Sequence, residues 1–443
     1  MDIGAAQAKP DRAALIALAA AGFALVALSP LALYFLFQAS FEGFVFTAFA
    51  QGAVYAVAVW LVLRHRFGRA ALAVIFTAAV IARAIALPAP AILSTDVARY
   101  VWDGRVQAAG INPYRYVPAD PQLAKLRDKT IYPNINRADY AVTIYPPVAE
   151  MMFFLATRVR ESLTTMRVTM VGFEAVTVFA LLALLKHDGA PAARVLIYAW
   201  HPLPIWEFAG TGHVDAAGIA LMTLAMLAAA RDRRALAGIA LAAGTLIKPF
   251  VVLIAPPLWR RWDWRLPAAF VVTAIICYLP YLSVGTGALG YLGGGYQDEQ
   301  GYLDGKGFFL VSLLRELGTP APSGGIFAVF AAVMLAAVAL HVAFRTKSRD
   351  ADPAIFLPLA AAFLLLISPH YPWYFIFLLP LLARAPYAPL IYVTLAAFIF
   401  YLPPIQDFDD YLTAGLWLYG GCALLALADV AVRFRPLPIR RPA

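Results

Sequence analysis

Long runs of apolar residues, separated by short polar and charged tracts, dominate the chain. Runs long enough, or nearly long enough, to cross about 30 Å of hydrocarbon fall at 13–37, 43–63, 70–92, 168–185, 195–209, 214–230, 266–284, 325–344, 353–368, 373–384, 387–404 and 411–432. Two further stretches do not fit a simple span. VAEMMFFLAT, directly after Pro146 and Pro147, is too short to cross at 1.5 Å per residue. The stretch 235–259 is interrupted by Lys248-Pro249 and reads as two half-helices meeting at the lysine. The pattern predicts an all-α polytopic membrane protein with about 12 to 14 transmembrane helices and external loop helices.

Composition agrees: 62% of residues are apolar, 14% are charged and the mean hydropathy is +0.74. These values lie outside the range of soluble globular chains. Cys277 and Cys422 each sit inside an apolar run and form no metal or disulfide motif. The net charge of +9 is scattered in short tracts rather than gathered on one face, so the sequence points to no nucleic-acid partner.

Charge also sets the orientation. If the short stretch after Pro147 dips without crossing and 235–259 enters and returns, most of the 35 basic residues collect on the cytoplasmic side with both termini. The opposite short loops keep Arg158, Arg160 and Arg167. Four polar features then share the external face: the 93–145 loop, the 211–215 turn TGHVD, the break at Lys248 and the 368–374 turn SPHYPWY. A second large loop, 285–324, joins them. The chain reads as one transmembrane domain, 1–443, with these two external loops.

The most informative stretch is STDVARYVWDGRVQAAGINPYRYVP at 94–118. Asp96, Arg99, Tyr100 and Asp103 recur at i, i+3, i+4 and i+7, one face of a helix capped by Ser94 or Thr95. Val97, Val101 and Val106 with Trp102 would rest that helix on the membrane surface, with Trp102 among the headgroups. Gly110 ends it and Asn112-Pro113 turns the chain. Two readings compete: a surface helix whose Asp and Arg residues pair with each other, or a carboxylate placed to take a proton from a hydroxyl.

Asp96 after an early span, the loop DxxRYxWDGxxxxxGxNPY, then IYPP, GHxD, LIKPF and SPHYPWY together resemble the GT-C superfamily of membrane glycosyltransferases. The resemblance is closest to the bacterial branch that uses polyprenyl-phosphate sugars, including mannosyl- and arabinofuranosyltransferases, and to the mannosyltransferase of glycolipid-anchor synthesis. It covers roughly residues 70 to 400. Two features depart from it: no compact DxD is present, which leaves metal use open, and a hairpin at 13–63 precedes the span leading into the loop.

The resemblance implies an inverting transfer of a sugar, mannose as first choice, from a polyprenyl-phosphate donor to a glycan or glycolipid acceptor. The reaction would take place at the periplasmic face of a bacterial inner membrane. Asp96 would be the catalytic base. Lys248, Arg99, His370 and Tyr371 would bind the donor phosphate, while Tyr100, Asp103, Arg105, Glu150, His213 and Asp215 would bind substrate. Lys248 is favoured because a lysine inside a membrane is costly unless it meets an anion; snorkelling or a buried ion pair would also explain it. Arg83 poses the same choice. Glu150 either orients Lys248 or, with His213 or Asp215, supplies donors for a divalent cation; a polar knot closing helix ends serves equally. Aromatic belts would account for Tyr371 and its neighbours. His201 and Glu207 read as residues that simply pair. GGGYQDEQGYLDGKG at 293–307 reads as a mobile cover and lacks the pattern of a phosphate loop. The rival functions are a flippase for a lipid-linked glycan and a non-catalytic assembly subunit.

Overall fold

The computed structural model describes residues 11–293, 295–345, 352–406 and 411–433. Lys9, Lys347, Arg349, Arg435, Arg440 and Arg441, which the orientation argument uses, and both termini lie outside them. Every regular element among the described residues is helical. Seven helices are long and apolar enough to cross a membrane, and six shorter apolar helices of 10–17 residues accompany them. Helix length and apolarity therefore support seven spans, where the hydropathy pattern predicts 12 to 14. The difference arises because proline, turns and polar residues interrupt several of the apolar runs.

The amino-terminal hairpin pairs α1 (Arg12–Phe37) with α2 (Phe41–Arg64). Asp11 and Ser40 cap the two helices, accepting from the amides of Ala14 and Gly43. A buried amide locks the hairpin to the rest of the chain. Gln51 donates to Ser29 Oγ at 3.1 Å and accepts from Trp206 Nε1 at 2.9 Å. Tyr55 donates to the Ile197 carbonyl at 2.9 Å. A lone amide or hydroxyl would be costly in this apolar interior, so these bonds fix the register of the hairpin.

α3 (Arg69–Ala86) carries Arg83 against α6 (Leu163–His187). The guanidinium grips Glu174 through two hydrogen bonds of 3.0 and 2.6 Å and donates to the Ala199 carbonyl at 2.9 Å. Arg83 is thus the structural ion pair of its two readings.

The apolar run 195–209 is not one helix. Its chain breaks at His201-Pro202 and re-forms as a wide turn over Ile205–Gly210. Trp200, Trp206 and Phe208 pack there without exposed surface. Helices α7 (Asp215–Ala230) and α8 (Arg234–Thr245) follow, and α8 ends just before Lys248. The chain resumes beyond it as Pro249–Ile254, so the expected interruption is present.

Candidate active site

α4 (Asp96–Ala108) begins at Asp96, whose amide donates to Ser94 Oγ at 3.2 Å; Thr95 makes no capping bond. The helix does not lie on a membrane surface. Trp102 is 1% exposed and packs on Tyr132. Tyr100 is fully buried, stacked on Phe153 at 4.5 Å. An apolar stripe of helical period fits a protein interior as well as a bilayer, and here the interior takes it. α5 (Pro147–Val159) lies alongside. Gly104 makes this approach possible: a Cβ there would come within 2.5 Å of the Phe153 carbonyl and Thr157 Oγ1.

Three polar groups converge on Asp96. Asn136 Nδ2 donates to Oδ1 at 2.5 Å, Tyr145 donates its hydroxyl to Oδ2 at 3.0 Å, and His213 Nε2 lies 4.0 Å from Oδ2. Burial alone would raise the Asp96 carboxyl. The charge of His213 in its imidazolium form, and those of Arg137 and Lys248, with the Asn136 hydrogen bond, outweigh it and hold the group below its ordinary value. Asp96 is therefore a carboxylate at neutral pH.

The TGHVD turn uses Gly212 at φ +85° to bring His213 and Asp215 beneath α4. Lys248 Nζ sits 3.0 Å from Asp215 Oδ2, within ion-pair range, yet neither Asp215 oxygen makes a hydrogen bond of ordinary geometry among the described residues. The ammonium also lies over the rings of Tyr374, at 5.1 Å, and Tyr145, at 5.9 Å. Glu150 does not orient Lys248. It accepts from Thr143 at 2.6 Å and from Gln107 at 3.0 Å. Burial and the neighbouring Asp103 push its carboxyl up.

Several expected ligands are spoken for elsewhere. Arg99 spends its Nε on both oxygens of Asp103, at 2.9 and 3.0 Å, and one amine on the Ala141 carbonyl. Arg105 clamps Asp128, Glu161 and the Leu126 carbonyl, which pins the first loop. His370 Nε2 meets the Gly307 carbonyl at 2.8 Å, and its ring packs on Tyr411. Tyr371 accepts from Gln300 at 3.2 Å and stacks on Trp373. Among the described residues no three His, Cys, Asp or Glu side chains gather as a metal site, so Glu150, His213 and Asp215 do not form one set.

Other residues at the site were not among those expected to act there. Glu207, read as merely pairing, accepts from His213 Nδ1 at 2.9 Å, and Tyr401 donates to it at 2.5 Å. Trp373 stacks on the His213 ring at 3.9 Å. Arg137 has a left-handed backbone, φ 55°, and chelates Glu299 of the second loop. The sequence signals for them are Glu207's position within an apolar run, Tyr145's place in IYPP and Trp373's in SPHYPWY. Beside this cluster, Leu93, His370, Tyr371, Trp373, Tyr401 and Tyr411 help to line a cavity of about 190 Å³.

The family model for the MptA/B family, described as alpha-(1->6)-mannopyranosyltransferase, N-terminal domain, matches residues 12–262. The chain belongs to that family. The match begins at α1, so the hairpin that departs from the wider resemblance lies inside the family's own domain, and it takes in Asp96, Glu150, Glu207, His213, Asp215 and Lys248. No curated protein and no solved structure matches the chain. Membership of a GT-C mannosyltransferase family, together with the apolar helices, makes it a membrane glycosyltransferase that acts on mannose.

Proposed function

We propose that this protein moves mannose from a polyprenyl-phosphate donor to a glycan or glycolipid acceptor, with inversion, at the periplasmic face of a bacterial inner membrane. The observation that carries the reading is Asp96: a carboxylate at a helix start, held by two neutral donors, with His213 just out of hydrogen-bond reach. A hydroxyl entering that gap meets a base already ionised and oriented. Asp96 takes the acceptor proton as the oxygen attacks the anomeric carbon, and the carbon–oxygen bond to phosphate breaks with its electron pair leaving on the lipid phosphate. That leaving group is a stabilised anion, so the enzyme's task is to position two substrates and hold charge.

Lys248 is the cation for the phosphate. Its only carboxylate partner among the described residues, Asp215, has oxygens with hydrogen-bonding capacity to spare, which suits sugar hydroxyls. The cavity beside Trp373 and Tyr401 offers an aromatic wall of the kind that packs on a sugar face or an isoprenoid chain. His370 and Tyr371 belong to that wall, and Arg99, Asp103, Arg105 and Glu150 support the first loop rather than touch substrate. The predominance of basic residues on the opposite loops supports the periplasmic placement, and the family's description supports an α(1→6) product.

The test is transfer from a panel of radiolabelled polyprenyl-phosphate sugars to endogenous glycolipid in membranes carrying wild type or Asp96→Asn, with and without chelator. Mannose transfer by wild type that vanishes in Asp96→Asn at equal protein level is the expected result. Equal transfer by the variant would remove Asp96 as base, and no transfer from any donor would favour the flippase. The chelator arm reads out metal dependence.

A further inference from the structure

The proton that leaves the acceptor must also leave Asp96 before the next turnover, and the groups behind it form a chain. His213 and Glu207 are 1% and 0% exposed. The Thr211 hydroxyl donates to the Glu207 carbonyl at 2.6 Å, so at 2.7 Å from His213 Nδ1 its oxygen is an acceptor. Glu207 Oε2 is a second acceptor, 2.9 Å from the same nitrogen. Two acceptors around Nδ1 put a hydrogen on it. Nε2 is then a lone pair in the neutral ring, and among the described residues it has no hydrogen-bond partner. It faces Asp96 Oδ2 across 4.0 Å, too far for a direct bond and near enough for one after a small shift. The Trp373 ring, stacked at 3.9 Å, fixes the plane of the imidazole, and Tyr401 holds the second oxygen of Glu207.

We propose that His213 is a catalytic residue that receives the acceptor's proton from Asp96, and that Glu207, braced by Tyr401, is the positioning residue that keeps Nε2 free for it. The inference rests on Asp96 being the base. The balance is complete: the acceptor O–H proton goes to the Asp96 carboxylate as the glycosidic bond forms and the sugar–phosphate bond breaks. It then passes to Nε2, giving an imidazolium between two carboxylates, and Asp96 is ionised again. The proton departs to solvent with product release. Glu207 stabilises the imidazolium in the way a carboxylate behind a catalytic histidine does, by orientation and charge.

The test measures kcat and KM for polyprenyl-phosphate mannose and endogenous glycolipid in membranes carrying His213→Ala or Glu207→Gln, with and without added imidazole or 1-methylimidazole. His213→Ala should lower kcat by about 10² or more, the scale of a lost proton-transfer group, with KM little changed. Imidazole should restore about tenfold of it, filling the space on Trp373 and accepting the proton. 1-Methylimidazole lacks the N–H that Glu207 holds and should restore less. Glu207→Gln keeps the shape of the site and should lower kcat about tenfold at constant KM. Wild-type kcat in either variant overturns the proposal, as does a loss in His213→Ala that no imidazole repairs but His213→Gln does, since that pattern marks a structural role. Full activity in Asp96→Asn would instead sink the reading of Asp96 as base, while the imidazole arm would still report on His213.

Discussion

The two ends of α4 carry the same kinds of residue to different ends. Toward its middle and carboxyl end, Arg99 and Asp103 close on each other, and Arg105 and Gln107 are bound on several sides. At the amino end Asp96 has two neutral donors, and the imidazole facing it stays out of bonding range. A saturated buried pair holds shape, whereas a buried carboxylate left with capacity beside an unpartnered imidazole can accept something new. Within one helix, hydrogen-bond saturation separates structure from chemistry better than residue type does.

Substitutions can break that contrast. The largest effect should come from Asp96→Asn, which removes the base and should lower kcat by about 10² to 10⁴, with only a small fall in melting temperature in detergent. Asp103→Ala should do the reverse. It strands a buried guanidinium and should cost about 3–5 kcal/mol of stability, read by thermal unfolding, with kcat per folded molecule retained. The double change Arg99→Leu with Asp103→Leu should recover part of that loss, because an apolar pair replaces a buried ion pair at little cost while the Ala141 carbonyl loses its donor. Gly104→Ala would press a methyl onto the Phe153 carbonyl and should cost about 1–3 kcal/mol.

The smallest expected effect concerns pH. The carboxyl of Asp96 lies below its ordinary 3.8, so the charged form contributes stability above that value and loses it as pH falls through the lowered one. Ionised Asp96 should therefore persist on acidification past the usual carboxylate range, read from its carboxylate band in infrared difference spectra of wild type against Asp96→Asn. Asn136→Ala removes one of the groups responsible, and that titration should move upward. An unmoved titration would show that the Asn136 hydrogen bond does not hold the Asp96 charge.

Much of this architecture is written locally and could be read from the chain. Apolar runs mark the long helices, Lys248-Pro249 marks the break, and the i, i+3, i+4 spacing places Asp96 and Asp103 on one helix. Partners distant in sequence are not written that way. Glu207 meets Tyr401 across 194 residues and Arg137 meets Glu299 across 162, and nothing in either local pattern names the other. Trp102 shows a second limit, since helical periodicity reports an apolar face without saying whether lipid or protein covers it. The pairing of Arg99 with Asp103 was legible as an i, i+4 contact, but only the closed geometry shows that it leaves Arg99 little to offer a phosphate.

Gly104 has one more consequence. It seats the helix that starts at Asp96 against α5, an element of 13 residues that reaches about 20 Å. The reacting carboxylate is therefore referenced both to a short helix, buried on one face, and to the long α6, which α4 also touches. Long apolar helices meet a thicker or thinner bilayer by tilting or by deforming the lipid around them. α6 touches α4, so tilting of that long helix bears on the distance from Asp96 to His213. Bilayer thickness then reaches the reaction centre through α6.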